Sequence, residues 1–260
     1  MALINCDFFS EVLDISTSIS VILPQNTIGQ IGMKGSIKKE KYPVLYLLHG
    51  LSDDHTIWCR RTSIERYVAD LGIAVVMPCG GRSYYTDMEH GYKYFTYITE
   101  ELPQIVENFF PISEKREDNF IAGLSMGGYG ALKAAFNCPD KYAAAASLSG
   151  AVDILERLKD SASMNSEEMH NIFGDFDKVK NSKNDLFYMA SELSKSSGNK
   201  PKIYSCCGTE DFLYENNIKF RDHMKSLKFD YTYEEEGGTH EWGFWDKKIQ
   251  SVLNWLPVNK

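Results

Sequence analysis

Apolar and small polar residues alternate through the middle of Val12 to Leu23, the period of two expected of a half-buried antiparallel strand, and Pro24 ends the run. Gln25 to Lys41 is polar, carries Gly29, Gly32 and Gly35 before a basic cluster, and reads as an exposed loop. Val44 to Leu48 is instead a short continuous apolar run, the pattern of a strand buried on both faces of a parallel sheet. Ile64, Tyr67, Val68 and Leu71 then fall at helical spacing, which predicts a helix over Trp58 to Leu71 with Gly72 as its stop. Ile73 to Met77 is the next buried strand, ended by Pro78. Cys79 to Tyr97 is a long loop rich in glycine and aromatic residues, and such loops usually carry function. Ile98 to Phe110 reads as a helix capped by Thr99, with Pro103 early enough to be tolerated.

The second half continues in the same rhythm. Phe120 to Ala122 is a strand that runs into a helix starting at Met126, and Ala143 to Ser149 is the next strand. Gly150 to Asn199 is polar and mostly helical with no strand pattern, and reads as an insertion over the carboxyl edge of the sheet. Lys202 to Cys207 resumes the sheet, followed by a helix over Glu215 to Leu227, a last strand over Tyr231 to Glu234, and a closing helix over Ile249 to Leu256. Alternating strands and helices of this kind form an α/β fold, here a mostly parallel doubly wound sheet with an antiparallel strand at the amino end. Residues 1–260 are expected to be one domain with 150–200 a cap-like helical insertion.

Composition narrows the function. The 260 residues, 43% hydrophobic and 25% charged, suit one globular domain rather than a disordered chain. A net charge of −8 argues against binding a phosphate backbone, so no nucleic-acid partner is expected. No basic segment precedes an apolar run at the amino end, and no apolar stretch approaches the roughly 20 residues needed to cross a bilayer. The expected location is therefore cytoplasmic, with no membrane partner. Cys6, Cys59, Cys79, Cys138, Cys206 and Cys207 lack metal-ligand spacing and read as reduced core residues. A homo-oligomer is left open.

The chemistry centres on Gly123-Leu124-Ser125-Met126-Gly127, a G-x-S-x-G motif between strand and helix. By chance it would occur in roughly one chain in ten of this length, so its context carries the weight. A sharp strand-to-helix turn exposes the serine hydroxyl, and the helix that follows points its free N–H groups at charge developing nearby. A serine needs a base, and the base needs a carboxylate to orient it. His170 lies in the helical insertion and His223 on an amphipathic helix, whereas His240 follows the last strand in a glycine-rich loop and is the candidate base. Asp211, just past the strand Lys202 to Cys207, is the candidate acid, with Glu210 its close rival. The oxyanion donors are expected at the backbone N–H of Leu51 and of Met126. His49 reads as a structural histidine, and the bunching of His49, Asp53, Asp54 and His55 in one loop lacks the spacing of a metal site, so no metal is expected. Trp58, Tyr84, Tyr85 and Trp242 are candidate pocket residues.

Leu47-Leu48-His49-Gly50-Leu51, Ile121 to Leu132 and Gly208-Thr209-Glu210-Asp211-Phe212-Leu213 together resemble the esterase D superfamily of α/β-hydrolases, closest to its tributyrin esterase and acetylesterase branch. The resemblance runs from about Phe8 to Leu256. It implies the α/β-hydrolase fold, a nucleophile at Ser125, acid at Asp211, base at His240 and an oxyanion leucine at Leu51, with no cofactor. The implied activity is hydrolysis of short-chain acyl esters, from acetyl to butyryl. Feruloyl or acetylated-carbohydrate esters are the alternative. S-formylglutathione hydrolases usually carry Ser-Gly-Leu-Thr-Cys where this chain has His-Gly-Leu-Ser-Asp, which lowers the thioester alternative.

Overall fold

All five residues from Val44 to Leu48 have no exposed surface, and they divide between two cores. Val44, Tyr46 and Leu48 face one, Leu45 and Leu47 the other, as the two-residue period of a strand requires. The computed structural model describes residues 1–27, 29, 31, 40–159 and 166–258, and the loop expected over Gln25 to Lys41 lies largely outside them. Among the described residues eight strands make one sheet: β1 (Ala2–Ser10), β2 (Ile15–Leu23), β3 (Val44–Leu48), β4 (Ala74–Pro78), β5 (Asn119–Leu124), β6 (Ala144–Leu148), β7 (Lys202–Gly208) and β8 (Tyr231–Glu236). Their spatial order is β1-β2-β4-β3-β5-β6-β7-β8. The β1–β2 and β2–β4 pairs are antiparallel and every other pair is parallel.

Helices cover both faces. In chain order they are α1 (Ile57–Arg61), α2 (Ile64–Tyr67), α3 (Tyr94–Thr96), α4 (Leu102–Phe109), α5 (Met126–Asn137), α6 (Ile154–Lys159), α7 (Ser166–Phe173), α8 (Leu186–Lys195), α9 (Tyr214–Ser226) and α10 (Trp242–Trp255). Apolar residues of α1, α2 and α10 pack on the Leu45 and Leu47 face, while α4 to α9 supply the core on the other. The chain runs from β3 to β4 on one side, then returns as β5 on the other side of β3. Strand order therefore reverses between β3 and β5, and the loops leaving their carboxyl ends splay apart into a crevice.

The elements differ from the sequence reading in five places. Ala2–Ser10 is an unexpected strand: Ile4, Cys6 and Phe8 turn inward, but Leu3 and Phe9 are exposed on the outer face and disguise the alternation. Its partner begins at Ile15 rather than Val12, because Asp14 at φ 54° belongs to the turn between them. The helix expected over Trp58 to Leu71 is two short ones, broken where the Thr62 hydroxyl and N–H both donate to the Trp58 carbonyl (2.6 and 3.1 Å). Thr99 is no cap: it is buried in a π turn, Tyr97–Glu101, that precedes α4, and its hydroxyl donates to the Phe95 carbonyl (2.8 Å). The closing helix starts at Trp242, seven residues before Ile249, because the Glu241 side chain accepts the N–H groups of Gly243 and Phe244.

Helix α5 is buried from Met126 to Phe136, including Lys133. The Lys133 amine donates to the Thr86 hydroxyl (2.8 Å) and the Tyr85 carbonyl (3.3 Å), and lies over the Phe95 ring. Burial pushes its pKa well below the usual lysine range. Through it the helix holds the aromatic loop that follows β4.

Candidate active site

Strand β5 ends at Leu124 and α5 begins at Met126, which leaves Ser125 alone to turn the chain. It does so at φ 52° and ψ −117°, backbone that costs a non-glycine residue on the order of 1–3 kcal/mol. Neighbouring strands hold it there: its N–H donates to the Leu148 carbonyl (2.9 Å), and its carbonyl accepts from Ala151 and Tyr129 (3.1 Å each). The two glycines of the motif are required by crowding. A Cβ on Gly123 would lie 2.4 Å from the Gly127 carbonyl group, and one on Gly127 would lie 2.5 Å from the Leu48 carbonyl oxygen and 2.6 Å from that of His49. These are backbone atoms that cannot swing aside. Gly127→Ala is accordingly expected to destabilise the protein by at least about 2 kcal/mol, read from denaturant unfolding; wild-type stability would show that the turn has room to relax.

The three separated polar residues converge at the carboxyl edge of the sheet. His240, in the loop between β8 and α10, places Nε2 3.0 Å from the Ser125 hydroxyl oxygen. Its Nδ1 lies 2.8 Å from Oδ2 and 3.1 Å from Oδ1 of Asp211. Asp211 follows β7, its side chain fully buried, and Oδ1 also accepts the Leu213 N–H (2.8 Å). That acceptor-only carboxylate sets the imidazole tautomer: the proton sits on Nδ1 and Nε2 is free to take one from the serine. The ring is clamped between Phe212 (centroids 4.6 Å apart) and the edge of Trp245 (4.8 Å).

Glu210, the rival acid, turns away from the imidazole. Its carboxylate accepts the Gly238 N–H (2.6 Å), and its own N–H donates to the Gly238 carbonyl (3.1 Å). The Gly238 N–H chiefly accounts for a carboxyl pKa below the usual glutamate range. Glu210 therefore clasps the histidine loop two residues before His240. His49 donates from Nδ1 to the Gly50 carbonyl (2.6 Å) and accepts the Gly80 N–H at Nε2 (2.8 Å). Burial lowers its pKa, so it stays a neutral strut between the loops after β3 and β4. Asp54 accepts the N–H and hydroxyl of Thr56, which shapes the same turn. Among the described residues no group of three or more His, Cys, Asp or Glu could hold a metal ion.

Leu51 lies on the loop after β3 and Met126 is the first residue of α5, after the turn that ends β5, where the strand order reverses. The Leu51 and Met126 N–H groups have no backbone acceptor among the described residues, and Met126 opens α5. The serine opens into a cleft of about 440 Å³ walled by Leu51, Asp53, Tyr84, Ala151, Arg157, Phe212, Trp242 and Trp245 among others. Tyr84 and Trp242 thus stand where expected. Trp58 and Tyr85 do not: each is 1% exposed, behind the wall. The Trp58 indole donates to the Leu48 carbonyl (3.1 Å) and packs edge-on against Trp242, and the Tyr85 hydroxyl donates to the His49 carbonyl (3.0 Å). From 150–200, only Ala151 and Arg157 are among the described residues lining the cleft, whereas α8 packs on α5 and α9. Sequence reading missed Phe212, Trp245 and Arg157. The first two had a signal, since Phe212 adjoins Asp211 and Trp245 falls one helical turn after Trp242; Arg157 had none.

The family model named Esterase, described as "Putative esterase", matches residues 10–256. An acetyl esterase of Caldicellulosiruptor saccharolyticus is 33% identical to this chain, over 98% of each. A fluorophosphonate-binding serine hydrolase of Staphylococcus aureus, solved with substrate bound, superposes with a TM-score of 0.89 at 35% identity, covering 100% of this chain and 99% of that one. An S-formylglutathione hydrolase of the same organism superposes with a TM-score of 0.85 at 35% identity, covering 99% of each.

Proposed function

The chain belongs to the Esterase family and is a carboxylic ester hydrolase, and from that premise we propose that it cleaves short-chain acyl esters, acetyl to butyryl, through an acyl-enzyme on Ser125. The observation that carries the mechanism is the unbroken relay from the Ser125 hydroxyl to His240 Nε2 (3.0 Å) and from Nδ1 to the buried Asp211 (2.8 Å). Ser125 attacks the ester carbonyl carbon while its proton passes to Nε2. Asp211 holds the resulting imidazolium, and the carbonyl oxygen, now an anion, is received by the N–H groups of Leu51 and Met126 at the positive end of α5. As the intermediate collapses, Nε2 returns the proton to the departing alkoxide and the acyl group stays on the serine. Water then repeats the sequence, giving its proton to Nε2 and releasing the carboxylic acid.

Aromatic walls and the modest cleft volume favour small acyl groups. Cytoplasmic residence belongs to the same proposal and is supported by six unpaired cysteines; burial in the sheet pushes the Cys207 thiol up to about 12. Among the described residues no helix is long and apolar enough to cross a membrane. The similarity to an S-formylglutathione hydrolase favours a second reading, in which a thiolate rather than an alkoxide leaves from the same intermediate. A panel of 4-nitrophenyl esters from acetyl to octanoyl, with a feruloyl ester and S-formylglutathione alongside, separates them. The expected maximum of kcat/KM lies at acetyl to butyryl; a maximum at octanoyl, at the feruloyl ester or at the thioester would overturn the short-chain assignment.

A further inference from the structure

The cleft wall carries a cation that the steps above do not use. Arg157 projects from α6 into the lining of the same cleft as Ser125 and His240. Its guanidinium lies 5.7 Å from the centre of the Phe212 ring, and the His240 ring lies 4.6 Å from that same centre. Phe212 is 64% exposed, so one aromatic ring at the mouth of the cleft contacts both the imidazole and the arginine. Arg157 also hydrogen bonds with the side chain of Tyr84, another lining residue, held at φ 50°. A guanidinium is a planar fork of N–H donors, and this one is anchored on a ring face and beside a phenol. Among the described residues, the other charged side chains on the wall are acidic. Glu241 uses both carboxylate oxygens on N–H groups of α10, and Asp53 lies on the loop after β3, where its carboxylate crowds Gly50.

Resting on the esterase reading of this cleft, we propose that Arg157 selects acyl esters that carry a carboxylate, held by the guanidinium about one aromatic ring away from the reacting carbon. Two sources supply that chemistry: the monoester of a dicarboxylic acid, with the carboxylate on the acyl side, or the acyl ester of a hydroxy acid, with it on the leaving group. The contact exists before and during the reaction, so it lowers KM more than it raises kcat.

Two substrate pairs test this. Mono-4-nitrophenyl glutarate is compared with its neutral primary amide, and 4-acetoxybenzoate with 4-acetoxybenzamide, in the wild type, Arg157→Lys and Arg157→Gln. In one pair the ratio of kcat/KM, anionic over neutral, is expected to fall about tenfold or more in Arg157→Gln, mostly through KM, and to be largely retained in Arg157→Lys. The pair that responds identifies the side carrying the carboxylate. Ratios unchanged within about twofold in both pairs, with wild-type thermal unfolding, would overturn the assignment. Should Arg157→Gln fail to fold, the wild type decides: the preference for the anionic member falls as salt rises if the proposal holds, and salt-independent ratios overturn it. Neutral esters hydrolysed in a Ser125-dependent way alongside unchanged ratios would sink only this proposal, whereas no Ser125-dependent hydrolysis at all would sink the esterase mechanism beneath it.

Discussion

Ser125→Ala should lower kcat/KM for 4-nitrophenyl butyrate by at least about a thousandfold and abolish labelling by a fluorophosphonate, with little change in thermal stability. The hydroxyl is the only atom removed, and its one described partner is His240 Nε2, 3.0 Å away. The backbone that holds the turn stays in place, because its hydrogen bonds to Leu148, Ala151 and Tyr129 involve no side-chain atom. Alanine at φ 52° is as strained as serine, so neither the fold nor the Leu51 and Met126 N–H groups are disturbed. What survives is catalysis by the cleft and the two N–H groups alone, and triad deletions of this kind leave only a small residue of the rate. A drop of less than about a hundredfold would remove Ser125 from the role of nucleophile.

Asp211→Asn should cost about four orders of magnitude in kcat, while Glu210→Gln, one residue away, should stay within about threefold. The asymmetry follows from the contacts. Oδ1 of Asp211 accepts the Leu213 N–H, so an asparagine would keep its carbonyl there and turn its amide NH2 towards Nδ1 of His240. Facing a donor, Nδ1 must become the acceptor, which moves the imidazole proton to Nε2, where it points at the serine and cannot take its proton. Glutamine at 210 still presents a carbonyl to the Gly238 N–H and keeps the clasp on the histidine loop. Equal losses in the two variants, measured at saturating substrate, would mean that the acidic partner has been assigned to the wrong residue.

Much of the site was legible because α/β sheets gather chemistry at strand ends. Ser125, Asp211 and His240 each follow a run readable as a strand, and each was placed on its loop from pattern alone. Choosing between Glu210 and Asp211 was another matter. Adjacent residues on one turn point in different directions, and only the turn geometry sends Asp211 into the interior and Glu210 out towards Gly238. The pocket shows the same limit. Tyr84 and Tyr85 are neighbours in a loop, both at positive φ, yet one lines the cleft and the other lies behind it with its hydroxyl on the His49 carbonyl. Trp58 read as a pocket aromatic and is a prop for Trp242. Lys133 sits within a helix buried from Met126 to Phe136, where no polar face remains to announce which residue needs a partner.

Local pattern by itself determined the alternating strands and helices, the sharp turn at Ser125 and the loops from which the acid and base come, because burial on both sides of a strand and crowding at a turn restrict residue types within a few positions. The tertiary structure alone decided which of two adjacent carboxylates meets the imidazole, which aromatics face the cleft, and that Phe212 contacts both His240 and Arg157. Those outcomes depend on directions in space between segments far apart in the chain, set by how the helices settle on the sheet, and residue spacing along the chain carries no record of them.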